Sequence, residues 1–197
     1  MKSLFSTGAS VSALALMLVG CGATEVDLDT GEDETSALAV QEQSLGACAD
    51  TEELEEVAEH ACVHAQFGPF QSVSAAPLGT QPFVDVNVPH TAYRVSLPGR
   101  PGHYGGSVLF APEETTEYAF LLSRYRGLRL YDGNKPVALE CRYQVPANVC
   151  AELRSTLVAD LEAGKDYRIE FRAVRKSNAQ FTLLVEEAAH GHEHGEE

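Results

Sequence analysis

Five of the seven histidines fall into two groups whose spacing suits metal chelation. His60 and His64 are four apart, so on a helix they share one flank, and an i, i+4 imidazole pair can grip one divalent ion. His190, His192 and His194 alternate near the C-terminus. In an extended chain alternate residues share a side, so three imidazoles can converge on one ion. Glu193, Glu196 and Glu197 add oxygen donors there. Nitrogen ligands with oxygen support suit zinc, copper(II) or nickel(II). Imidazole must be neutral to bind, so such a site empties below about pH 6. The tail is the stronger candidate. The helix pair alone reads first as a solvated flank, and His90 and His103, standing singly beside Pro and Gly, read as loop residues rather than ligands.

Other chemistry finds little footing. There is no Gly-x-Ser-x-Gly elbow, no Walker loop, no Gly-x-Gly-x-x-Gly and no His-Glu-x-x-His. Asp27, Asp29, Asp33 and Gly31 imitate a calcium loop, but the glycine is one place early and position twelve is Leu38. No enzymatic activity is expected. The net charge of −15 disfavours nucleic acid and anionic lipid head groups as partners. Arg124, Arg126 and Arg129, and Arg168, Arg172, Arg175 and Lys176, read as wet faces of strands, the alternative being a patch for an anionic polysaccharide. No tryptophan is available to stack on a sugar.

Where these residues reside follows from the N-terminus. Lys2, an apolar run from Val11 to Val19, and the small Gly20 before Cys21 have the form of a secretory signal, too short to span a bilayer. Leu18-Val19-Gly20-Cys21 resembles the lipobox of bacterial lipoproteins. That resemblance implies cleavage after residue 20, lipidation of Cys21 (a diacylglyceryl group and a fatty acyl chain such as palmitate) and, since Gly22 rather than Asp follows, a place in the outer membrane of the cell envelope. Residues 21–47 then form an acidic tether with no aromatic residue, unable to offset its ordering entropy by burial. Residues 188–197 form a disordered His/Glu-rich tail.

Between the tails the elements are legible. Residues 51–65 carry Leu54, Val57, Ala58, Ala61, Cys62 and Ala65 at helical spacing. Asp50 and Glu53 make a capping box, and Gly68-Pro69 makes the stop. From Phe70 the pattern becomes short strands near 70–75, 83–88, 90–97, 106–110, 117–124, 127–131, 136–140, 154–161, 166–173 and 180–187. Residues 154–161 and 166–173, joined by Glu162-Ala163-Gly164-Lys165, read as a hairpin, and Asp132-Gly133-Asn134 reads as another turn. The expected fold is mainly β: an antiparallel β-sandwich of about 8–10 strands over 70–187, with the amphipathic helix of segment 48–69 packed on it. The run of Gly106–Phe110, Glu117–Phe120, Leu128–Asp132 and Leu161–Tyr167 resembles the bacterial pre-peptidase C-terminal type of β-sandwich, which implies a non-catalytic accessory module. The layout as a whole resembles small envelope lipoproteins.

With Cys21 lipidated, four cysteines remain in an oxidising space. Cys48–Cys62 is excluded by length, since the helix between them spans about 16–18 Å while disulfide Cα atoms sit about 4.4–6.8 Å apart. The expected pairs are Cys62–Cys150, stapling helix to sandwich, and Cys48–Cys141. A local Cys141–Cys150 clip is the alternative. Two roles follow for a monomer held to the membrane by lipid: binding or buffering of divalent transition metal, or recognition of an envelope protein or polysaccharide.

Overall fold

The apolar period of residues 54–62 becomes α1, Thr51–Phe67, in a computed structural model that describes residues 45–124 and 127–188. Glu52 and Glu53 sit in its first turn, where negative charge suits the helix dipole. The capping box does not form. Asp50 occupies the N-cap position, but its side chain makes no cap hydrogen bond. The chain is tied down just before it instead, by Cys48 N–H donating to Arg142 O at 3.3 Å. At the other end Gly68 takes φ +80° and donates its N–H to His64 O at 2.9 Å, ending the helix.

Twelve strands follow among the described residues. One sheet holds β1 (Phe70–Ser74), β3 (Ala92–Ser96), β12 (Gln180–Glu187), β6 (Thr116–Leu122), β10 (Ser155–Leu161) and β9 (Cys141–Tyr143), in that spatial order. The second holds β2 (Ala76–Pro77), β5 (His103–Phe110), β11 (Tyr167–Ala173), β7 (Arg129–Asp132) and β8 (Lys135–Val137), with β4 (Gly99–Arg100) also on β5. The sheets face each other across a core of Phe110, Phe120, Leu122, Leu130, Leu157, Ile169, Phe171 and Leu183. The helix covers the outer face of the first sheet, where Leu54, Val57, Ala58 and Ala61 meet Ala119, Leu121, Val158 and Leu184. The first sheet is therefore buried on both faces. That is why β6 and β10 are nearly continuous apolar runs, whereas β11 alternates. Each fully buried leucine here contributes about 1.5–3 kcal/mol.

Four further sequence expectations need correction. Residues 83–88 are not a strand, since only Asp85 bridges to Leu109. Pro82 and Pro89, which lack the N–H a ladder needs, bracket that segment. The 154–161/166–173 hairpin does not exist: β10 pairs with β6 and β9, and β11 with β5 and β7, so Glu162–Asp166 arches between sheets. Alternation along β11 marks burial of one face, not which strand is its neighbour. Arg124 is no wet-face residue. It is buried, donates to Asn178 O at 2.7 Å and lies 3.8 Å from the centre of the Phe181 ring. Finally, β1 and β3 are parallel, Phe70 opposite Ala92, within an otherwise antiparallel set of strand pairs. The β7–β8 turn forms at Gly133-Asn134, with Gly133 at φ +59°.

Two disulfides join Cys48 to Cys141 and Cys62 to Cys150, with Cα separations of 4.9 and 5.6 Å. The first anchors the entry to α1 on edge strand β9, and the second anchors the helix itself to the 146–152 loop. Among the described residues no helix is long and apolar enough to cross a membrane.

Candidate metal centre

The parallel pairing of β1 and β3 decides what meets at one edge of the molecule. Each strand is preceded by a segment carrying histidine: α1 before β1, and the 88–91 loop before β3. Parallel strands start at the same end, so the last turns of α1 and this loop become neighbours. The N–H of Ala92 donates to Pro69 O at 2.9 Å, tying the two segments together. The neighbouring β12 runs antiparallel to β3, so its C-terminal end, with Glu186, arrives at the same place.

Three imidazoles result, His60, His64 and His90, whose ligand nitrogens lie within 4.8 Å of one another. His60 Nε2 is 3.1 Å from His64 Nε2 and 3.2 Å from His90 Nδ1. The His90 ring stacks on both others, centroids 4.9 and 5.0 Å apart. His64 is oriented by its own turn. Its Nδ1 is 3.2 Å from Gly68 O, a carbonyl that can only accept, so the proton sits on Nδ1 and the Nε2 lone pair faces its partners. His90 is held by backbone. Its φ of +57° makes it the sole non-glycine residue at positive φ among those described. Histidine tolerates that region better than most residues. The buried Tyr93 pins the loop, its hydroxyl accepting from Val88 N–H at 2.9 Å.

Beside the trio lies Glu186. Its Oε2 is 3.3 Å from His90 Nδ1, with the side chain 9% exposed. Its Oε1 is buried and has no hydrogen-bond partner among the described residues. Strand alternation explains this placement. Glu186 is in phase with Leu184 and Ala188, whose side chains pack toward α1. Desolvation pushes its carboxyl up to about 7, with His64 opposing and Glu187 reinforcing.

The sequence-predicted sites are thus distributed unevenly. The helix pair His60/His64 is brought together and gains His90. His103 stands apart, lining a cleft with Tyr104 and Arg172. Cys21, His190, His192 and His194 lie outside the described residues. His90 and Glu186 were missed because nothing in the primary pattern announces β1–β3 pairing. The available signal was Glu186 itself, an acid in phase with apolar residues on a buried strand. Two further groupings differ in chemistry. The sulfurs of Cys62 and Cys150, near Glu152, are committed to a disulfide. Glu117, Glu140 and Asp160 offer only oxygens at the surface, where the hydrogen bond that the protonated Glu140 carboxyl donates to Asp160 is the largest influence raising Glu140 to about 7.

No protein-family model and no curated protein matches the sequence. Among solved structures the chain is similar to the β-glucosidase from Kluyveromyces marxianus, in complex with glucose (16% identity, TM-score 0.27) and in selenomethionine-labelled form (19%, 0.28). The similarity covers 44% of this chain and 10% and 11% of those chains, so the chain spans about a tenth of their length. A likeness this shallow bears on neither activity nor substrate.

Proposed function

We propose that this chain is a non-enzymatic envelope lipoprotein, anchored through Cys21, whose folded domain binds or buffers a divalent transition metal. The observation that carries the reading is the convergence of three neutral-capable imidazoles, drawn from a helix and a distant loop, beside a buried carboxyl. Desolvating a carboxyl with one oxygen unpartnered is unfavourable for a fold alone, and a bound cation compensates it. The tail histidines act with this site. His190 follows Glu186 by four residues, so the chain can carry it at most about 14 Å away. Two acidic tails raise the local cation concentration around the monomer.

The test is zinc titration of the metal-free full-length protein, a His60→Ala/His64→Ala variant and a chain ending at Ala188. The double variant loses the tight site, and the shortened chain keeps it while losing weaker sites. Equal zinc uptake by all three refutes the reading. A second reading, an interaction module for an envelope protein, is favoured by the exposed Val63, Phe67, Phe70 and Phe83, at 54%, 77%, 42% and 83% exposure. Retention of an envelope partner by the histidine variants, with no response to chelator, selects it instead.

A further inference from the structure

We infer that Glu186 is the fourth ligand of the His60–His64–His90 centre, which makes it a closed tetrahedral site of the zinc class. The inference rests on the proposed metal reading and adds the ligand count, the metal class and the kind of use.

Geometry selects the class. Zinc bound at about 2.0–2.1 Å in a tetrahedron sets its ligand atoms about 3.3–3.4 Å apart, whereas square-planar neighbours at a similar bond length sit about 2.8–2.9 Å apart. Three ligand-to-ligand separations are on hand. They are 3.1 Å for His60–His64, 3.2 Å for His60–His90 and 3.3 Å for His90–Glu186. The His60–His90 and His90–Glu186 separations fall nearer the tetrahedral edge and the His60–His64 separation falls midway; Glu186 touches His90 but lies outside the 4.8 Å grouping of the three imidazoles, so its carboxylate must swing inward to complete the tetrahedron. Tetragonal copper(II) would require the nitrogens to crowd.

Glu186 also has the right chemistry and constraint. It is an anionic oxygen donor with a buried, unpartnered Oε1, on a stretch of β12 held by β6, where Glu186 lies opposite Ala119. His64 is backed by the Gly68 carbonyl in the manner of metal-ligating imidazoles. Three histidines and one carboxylate fill four positions and leave none for an activated water. The centre therefore holds metal rather than catalysing hydrolysis.

The experiment uses the full-length chain carrying His190→Ser, His192→Ser and His194→Ser, so that only the folded site reports. Zinc affinity by competition and the visible spectrum of bound cobalt(II) are compared with those of the same chain carrying Glu186→Gln, Glu186→Asp or His64→Ala. Four-coordinate cobalt absorbs strongly, because its site lacks an inversion centre, and six-coordinate cobalt weakly. The unaltered site is expected to bind one equivalent with the strong spectrum. Glu186→Gln should lower zinc affinity at least about 10-fold and weaken the cobalt bands. Glu186→Asp, which keeps the charge but withdraws the oxygens by one methylene, should do the same. Wild-type affinity and spectrum in Glu186→Gln, or in Glu186→Asp, overturns the fourth-ligand assignment while the three-histidine reading stands. If His64→Ala also leaves zinc affinity unchanged, or the unaltered site binds nothing, the metal reading itself fails.

Discussion

Replacing Glu186 by glutamine should make the metal-free protein more stable at alkaline pH relative to acid pH. The carboxyl is raised from 4.5 to about 7 by burial. The folded state thus holds its proton more tightly than the unfolded chain does. Its contribution is fully present below about pH 4.5 and is lost as pH rises to about 7, where the fold must bury a charged carboxylate. At 1.36 kcal/mol per pH unit the swing is about 3 kcal/mol. Glutamine keeps the shape and removes the titration. Urea unfolding with chelator present, at pH 4.5 and pH 8, reads the effect. The variant-minus-wild-type difference should move by about 3 kcal/mol in the variant's favour, or about 1.5 M urea at a slope of about 2 kcal/mol/M. The difference also cancels groups shared by both proteins, among them Glu140, raised to about 7 chiefly by Asp160. His90 touches Glu186, His64 and Glu187 act on it through charge, and all three are unchanged in the variant. Zinc at about 100 times its Kd for the wild type should restore about 2.7 kcal/mol to the wild type and about 1.4 kcal/mol or less to the variant. A difference that stays flat between the two pH values would refute the reasoning.

Joint Cys62→Ala and Cys150→Ala substitution opens a link across a sequence separation of 88 and should lower stability by up to about 4–5 kcal/mol in denaturant unfolding. Non-reducing peptide mapping should recover 48 with 141 and 62 with 150, and a 141–150 fragment would contradict both. Cys21→Ala should move the protein from the detergent phase to the aqueous phase on partitioning and abolish fatty-acid labelling. An unlabelled wild type would remove the envelope assignment.

What could be read from the chain depended on how local its cause was. Helix α1 was legible because Leu54, Val57, Ala58 and Ala61 repeat at the period of the face they bury. The disulfide pairs were partly legible: a rigid helix cannot bring Cys48 back to Cys62, and Cys62 on the helix's apolar face pointed it at the sandwich. Strand neighbours were not, since Tyr167, Ile169 and Phe171 alternate in the same way whether β11 lies beside β10 or across the core from it. Arg124 was misjudged because its aromatic partners, Phe171 and Phe181, lie far along the chain. The centre suffered most: His60 and His64 were visible as a pair, but His90 and Glu186 join them only through long-range pairing.

The side-by-side course of β1 and β3 has a consequence for when metal can be captured. The donors of this centre come from positions 60, 64, 90 and 186, so before the strands pair the chain offers from among them only the two-imidazole pair of the helix. On the proposed reading, a precursor crossing the inner membrane unfolded lacks the four-ligand centre and meets zinc only through local groups, His60 with His64 and the tail histidines. On the same reading the four-ligand centre fills only after the last long strand has docked, so its occupancy reports that folding is complete.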